Sequence, residues 1–443
     1  MDREDEPRGA SERSRSRRSR GLRLASLPVA HAGRAAVGLG RRIGGRPAEM
    51  VSREVQERTA DQLFRVLGEL KGGAMKVGQA MSAMEAALPA ELAEPYREAL
   101  VRLQEAAPPM SATTMRRVLA DGLGPDWAGR LTEVNDRPAA AASIGQVHRG
   151  TWHDGRAVAV KVQYPGAAKA LAADLRQLDR LAPLVRVGAP GLDPRALFAE
   201  LHDRLLDEVD YGRESETQEA FAEAFRDDPD IFVPDVVEAA DGVLVSEWVG
   251  GTPLAKVIAE GSTAQRDRAG LLLVRLLASS PARVGRLHGD PHPGNFRLLD
   301  DGRLVVLDFG SWEPMPDGWP SALGTLLVAG RDREARALGA EARRVGLIPD
   351  QGVAPAALLD LVDPVLEPLR HEDFTFERSW LQELTRRSSD PRTPQAKVQR
   401  QLRVPARHLL VQRVAAGLVG VLCSLGATVP VRAEAERWVP GLH

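Results

Sequence analysis

Leu287-His288-Gly289-Asp290-Pro291-His292-Pro293-Gly294-Asn295-Phe296, followed twelve residues later by Asp308-Phe309-Gly310, is the stretch that decides how this chain is read. It holds an Asp, an Asn five positions on, and a second Asp after a short apolar run. Three oxygen-bearing side chains in that order suit phosphoryl transfer. One Asp orients a nucleophile, while the Asn and the second Asp hold metal ions that bridge the phosphates. Such a site also needs a cation for the phosphates, an acid to position it, and a backbone segment for the base.

Upstream, Ala157-Val158-Ala159-Val160-Lys161-Val162 reads as a strand by its alternation. A lone Lys in an apolar strand is costly to bury unless it meets an anion. Before it runs Pro138-Ala139-Ala140-Ala141-Ala142-Ser143-Ile144-Gly145-Gln146-Val147-His148, a small-residue loop entering a strand, and then the turn His153-Asp154-Gly155. Loop, hairpin and Lys follow the order of a kinase phosphate clamp. Here, however, Ala140, Ala141, Ala142 and Ser143 stand where a protein kinase has Gly. Ala avoids positive φ, so this loop cannot fold over phosphates as a Gly-rich one does.

Two long helices are expected next, over about 167–187 and 194–225. On the second, Asp210 and Glu214 stand at i and i+4 and share a face, with Glu208 pointing elsewhere. One of these acids is expected to pair with Lys161. Ile231 to Val236 and Val243 to Val249 read as strands around the turn Asp241-Gly242. Glu247-Trp248-Val249-Gly250-Gly251 then leaves the strand as a hinge whose backbone, at Glu247, is available to an adenine edge. A helix from about Ser262 to Leu287 delivers the opening motif, and a hairpin at Leu298 to Leu304 leads to Asp308. From Trp319 onward the pattern is helical, broken by Pro-bearing loops.

Composition sets the outer bounds. At 443 residues, with 43% hydrophobic and 27% charged residues, the chain has room for two lobes with ordinary cores. A net charge of −2 supplies no global field toward nucleic acid, and no specific nucleic-acid binding is expected. Cys423 is the only cysteine, which leaves no internal disulfide or cysteine cluster for zinc and fits a reducing compartment. No signal peptide is expected. Val414 to Val431 is the most apolar stretch, but its three Gly, Pro, Ser and Thr favour a buried terminal helix over a membrane span.

At the N-terminus, Arg13, Arg15, Arg17, Arg18, Arg20 and Arg23 arrive with no acid between them. Residues 1–45 therefore read as a basic, disordered tail, at least as well suited to solvent as to anionic headgroups or nucleic acid. Residues 46–135 read as a helical extension, of which 110–135 is a short helical linker. Within the extension, Leu70-Lys71-Gly72-Gly73-Ala74-Met75-Lys76-Val77-Gly78-Gln79 places Lys76 and Gln79 on one helix face. Spacing alone fits a surface pair as well as a shared partner.

Together these pieces resemble the UbiB/AarF-type atypical kinases, a branch of the protein-kinase-like superfamily. The distinctive marks are Lys76-Val77-Gly78-Gln79, the Ala-rich run before Ser143-Ile144-Gly145-Gln146-Val147-His148, and the Glu208-Val209-Asp210 element. The likeness spans roughly residues 55–435. It implies an α+β, bilobal protein-kinase-like fold: a small N-lobe sheet at 136–250, with extra N-terminal helices, and a mostly helical C-lobe at 251–443.

It further implies that Lys161 contacts phosphate and Glu214 positions it, that Asp290 is the catalytic-loop Asp, and that Asn295 and Asp308 bind metal. Lys76, Gln79, Glu208 and Asp210 become a gate over the place a peptide substrate would occupy. The implied cofactors are ATP or ADP and Mg2+. The implied activity is ATP hydrolysis or small-molecule phosphorylation, coupled to isoprenoid quinone or other prenyl-lipid metabolism. The expected location is cytoplasmic, with peripheral contact at the inner face of a membrane as an open option. A small-molecule phosphotransferase of aminoglycoside or choline type and a non-catalytic nucleotide-binding regulator are the rival readings. One departure is Gly289, where many relatives carry Ala or Thr. Altered local packing is expected there, with little effect on metal binding.

Overall fold

The computed structural model describes residues 110–142, 144–167, 210–389, 393–399, 401–403 and 409–443. The basic tail, the helical extension before Met110, Lys76, Gln79, Ser143 and Glu208 lie outside the described residues.

The N-lobe is an antiparallel sheet of six strands: β1 (Leu131–Val134), β2 (Ala140–Ala142), β3 (Gly145–Trp152), β4 (Ala157–Gln163), β6 (Val236–Ala240) and β7 (Val243–Glu247). The order is β1-β3-β4-β7-β6, with β2 paired to β3. The period of two along β4 decides its faces. Val158, Val160 and Val162 are fully buried on one side, packed with Met115, Leu119 and Leu123 of helix α1 (Ala112–Leu123). Lys161 must therefore project to the other side, toward the next helix.

That helix, α3 (Tyr211–Ala224; α2 is the short turn Trp127–Arg130), begins later than the sequence suggests. Asp210 has extended dihedrals, φ −92° and ψ 96°, and its side chain accepts hydrogen bonds from the Gly212 and Arg213 amides. A short carboxylate beside unpaired first-turn amides caps the helix rather than continuing it. Of the helix expected over 194–225, residues 194–209 lie outside the described residues; Asp210 caps the part that is described and does not share the face of Glu214.

Three other expectations change in the same way. The segment 110–135 is more than a helical linker, since β1 edges the sheet. Ala140–Ala142 is a strand rather than a loop, with Ala141 opposite Gln146 and Ala142 opposite Gly145. Ile231 to Val236 is split by Val233-Pro234-Asp235. Strand β5 (Ile231–Phe232) runs parallel to β11 (Leu304–Val306) in a separate sheet, and Pro234, lacking an N–H, breaks the run.

Two buried side chains lock the N-lobe entrance. Gln146 Oε1 accepts the Met110 amide at 2.9 Å, and its Nε2 donates to His148 Nε2 at 2.7 Å. His148 Nδ1 in turn donates to the Asn135 carbonyl at 2.6 Å. A carbonyl can only accept, so the proton on Nδ1 is assigned by the network.

The C-lobe is built on α5 (Thr263–Val284), which follows the short α4 (Leu254–Glu260). Ser262 and Gln265 form its capping box, and Gly285 ends it in a left-handed conformation. The expected helix to Leu287 thus stops early, and β9 (Arg286–His288) pairs with β12 (Trp312–Pro314). A hairpin, β10 (Phe296–Leu298) to β11, follows the sequence expectation. Helices α6 (Ser321–Arg331), α7 (Ala335–Arg344) and α8 (Pro355–Val362) share a small core of their own. After α9 (Arg378–Ser389) and α10 (Pro394–Gln399), α11 (Leu409–Leu425) packs Leu410 and Val414 against Leu277 and Leu287. Among the described residues no helix is long and apolar enough to cross a membrane. The last described helix is α12 (Val431–Trp438).

Candidate active site

Strand β4 and helix α3 set the first half of the site. Lys161 Nζ donates to both carboxylate oxygens of Glu214, at 2.7 and 2.8 Å, and lies 3.9 Å from Asp308 Oδ1. The Glu214 side chain is 1% exposed, Lys161 16% and Asp308 28%, so the cluster opens toward Asp308. Burial works against the Lys161 charge, but Asp308 and Glu214 outweigh it and hold the ammonium well above the ordinary lysine range. Burial likewise raises the Glu214 carboxyl, opposed by Lys161 and by the Phe309 amide that donates to it. Glu214 is the acceptor in each of these bonds.

Helix α5 and the sheet β9–β12 set the second half. His288 is fully buried among Phe221, Phe296 and Phe309, with ring centroids 6.2, 5.7 and 5.6 Å away. Burial lowers its pKa and keeps it neutral. Its Nε2 donates to the Asp308 carbonyl at 2.6 Å, while its Nδ1 accepts the Asp290 amide at 3.4 Å. One imidazole therefore links the backbones of the two aspartates. Asp290 Oδ1 accepts the His292 amide, and the Asp290 carbonyl accepts Asn295 Nδ2 at 3.2 Å. With its NH2 so used, Asn295 presents its carbonyl oxygen as the remaining polar end.

The donor set near Asp308 and Asn295 is one carboxylate and one amide oxygen, hard ligands that suit Mg2+ with phosphates completing its shell. Among the described residues no three His, Cys, Asp or Glu side chains converge as they would for a protein-only metal cage. Lys161, Glu214 and Asp308 are thus brought together, as are Asp290 and Asn295. Asp210 is not among them. At the hinge, the Glu247 amide donates to the Asp235 carbonyl and the Trp248 amide to the Ala157 carbonyl. Both amides are committed to the sheet. Ala140, Ala141 and Ala142 form an edge strand against the start of β3, Gly145 to Val147.

Tyr211 and His288 were missed. The Tyr211 ring lies 5.1 Å from Lys161 Nζ, and its buried hydroxyl has no hydrogen-bond partner among the described residues. Burial raises its pKa, with Lys161 opposing. A Tyr immediately after a capping Asp and three before a positioning Glu was the available signal.

Residues 102–339 match the ABC1 atypical kinase-like domain. The chain is 33% identical over 325 residues to the rat protein "Atypical kinase COQ8B, mitochondrial", covering 68% of this chain and 58% of the relative. It is 31% identical over 333 residues to the yeast (Saccharomyces cerevisiae) "Atypical kinase COQ8, mitochondrial", covering 72% and 64%. The chain spans only 34% of the nematode (Caenorhabditis elegans) coq-8 protein, so it matches a part of each of these curated relatives. Among solved structures, the complex of Rv3197 with erythromycin from Mycobacterium tuberculosis is 45% identical, with a TM-score of 0.69 over 89% of this chain and 99% of that one. Fold, motifs and relatives agree: the chain belongs to the ABC1 atypical kinase-like family, the UbiB/AarF-type branch of the kinase-like proteins.

Proposed function

We propose that this chain is a Mg-ATP-dependent atypical kinase or ATPase that acts in, or regulates, isoprenoid quinone or other prenyl-lipid metabolism. The observation that carries the reading is the engaged clamp: Lys161 bonded to Glu214 and 3.9 Å from Asp308. In this reading Lys161 neutralises phosphate charge, and Glu214 fixes its ammonium. Asp290 orients a water or an acceptor hydroxyl toward the terminal phosphorus and takes up its proton as the bond to the leaving ADP breaks. Asp308 and Asn295 hold Mg2+, which when bound spreads the developing negative charge. Lys76, Gln79, Glu208 and Asp210 gate the site against protein substrates, and the outer strand Ala140–Ala142 covers the nucleotide.

The test is melting temperature with and without Mg-ATP, beside ATP turnover with and without anionic liposomes and phenolic quinone-precursor mimics. Mg-ATP should raise the melting temperature of the parent, and Asp308→Asn should abolish both the shift and turnover. An unchanged parental melting curve would sink the nucleotide site. Turnover indifferent to lipid and phenol, with phosphate appearing on an unrelated small molecule, would favour a small-molecule phosphotransferase.

A second reading is macrolide binding, favoured by the 45% identity to a protein solved with erythromycin. Erythromycin alone should then raise the melting temperature in Asp308→Asn as it does in the parent. No shift in either protein would remove this reading.

A further inference from the structure

Helix α11 presents Arg413 and Gly417, one turn apart, on one face. That face meets the catalytic loop. Arg413 Nη2 donates to the Gly289 carbonyl at 3.2 Å and to Ser311 Oγ at 3.2 Å. Beneath it, a Cβ at Gly417 would lie 2.8 Å from Pro291 Cγ, so the helix rests directly on the loop. Gly289 precedes Asp290, and Ser311 stands three residues beyond Asp308. These two already touch, since the Gly289 amide donates to the Ser311 carbonyl at 2.8 Å. A Cβ at Gly289 would sit 2.6 Å from Ser311 Oγ, so in this chain Ser311 packs into the space a side chain at 289 would take. A single guanidinium nitrogen thus joins the segment carrying Asp290 to the segment carrying Asp308.

We propose that Arg413 is a positioning residue: from the C-terminal helix it fixes Asp290 relative to Asp308 by binding Gly289 and Ser311 at once. It acts through the Gly289 main chain and the Ser311 hydroxyl, with charge-assisted bonds stronger than neutral ones. Its kinetic consequence rests on the phosphoryl-transfer reading above, while its structural consequence rests on the geometry alone.

The full chain is compared with Arg413→Met, Arg413→Lys, Ser311→Ala and the Arg413→Met/Ser311→Ala double variant. ATP turnover with Mg2+ and amide hydrogen exchange over residues 286–291 and 308–312 are measured on each. Arg413→Met should lower kcat roughly tenfold, the effect of a lost charged hydrogen bond, with the KM for ATP within about twofold of the parent. Exchange should quicken in those two segments only, and Arg413→Lys should recover part of both losses. Ser311→Ala, which leaves the helix untouched, should cost a few-fold, and the double variant should be no worse than Arg413→Met. Parental kcat and exchange in Arg413→Met would overturn the proposal. So would losses that multiply in the double variant, or faster exchange spread along the whole of α11. Should the parent hydrolyse no ATP under any condition, the phosphoryl-transfer reading fails by itself, and the exchange data alone decide whether Arg413 joins the two segments.

Discussion

Two clusters of part-buried charge in this molecule are balanced differently. Around Lys161, one cation meets two carboxylates, Glu214 and Asp308. Around Arg275, two cations meet two carboxylates. Arg268 pairs with Asp230 at 2.5 Å, and Arg275 bonds both Asp230 and, at 2.6 Å, Glu434, which leaves zero. The second cluster ties α5 to the C-terminal helix α12 and balances its charges as it stands. The first has two carboxylates for one cation, and the second of them, Asp308, is its most exposed member. A buried cluster of equal charges suits a role in the fold, while the proposed ligand role falls to the cluster that reaches an opening.

The sharpest way to break that contrast is to remove the cation from each cluster. Lys161→Met should lower turnover by at least about a hundredfold, since it takes away the fixed charge facing the phosphates. It also strands Glu214, whose carboxyl burial already raises. Without its cation that carboxyl holds its proton to higher pH in the folded variant, whose stability is full below the unfolded pKa and falls as pH rises through the folded one. The melting-temperature gap between parent and Lys161→Met should therefore be smaller at acidic pH than at alkaline pH. A gap that widens on acidification would refute the account of Glu214.

Arg275→Met should cost on the order of 3 kcal/mol of stability, because it leaves Glu434 buried without its cation. Glu434 Oε2 already lacks a hydrogen-bond partner among the described residues. Denaturant melts would show the loss, while Mg-ATP should still raise the melting temperature by the parental amount. A vanished nucleotide shift would mean that the two clusters are not separable.

The smallest effect is at Cys423, buried in the C-lobe core on α11, where burial pushes its thiol up to about 12. Little thiolate exists at neutral pH, so a thiol reagent should label the native chain far more slowly than the unfolded one, without changing turnover. Rapid native labelling would show that α11 opens locally.

What was legible in the sequence is local or period-bound. Alternation along β4 put Lys161 opposite three valines, and the cost of burying it demanded an acid, which Glu214 supplies. Asp290, Asn295 and Asp308 are legible as a motif because one loop and one hairpin carry all three. The misreadings share a different cause. Asp210 lies in a helical-looking stretch, but capping won over propensity. Ala140–Ala142 lacks the β-branched residues that mark strands and is one only because β3 lies beside it. Arg413 stands over a hundred residues from its partners Gly289 and Ser311, and nothing in a lone Arg on an apolar helix announces them.

The buried run from Met110 to Asn135 has a consequence of a different kind. Its hydrogen bonds carry a sense of direction: the Asn135 carbonyl fixes which nitrogen of His148 is protonated, that nitrogen fixes which end of the Gln146 amide turns toward it, and the other end fixes what Met110 must offer. The arrangement behaves like a parity check. Replacing Gln146 with a same-sized Glu would leave two acceptors face to face at His148, an error that no rotation of either side chain corrects. The chain entering the N-lobe at Met110 is thereby read out, residue by residue, against a carbonyl 25 positions away.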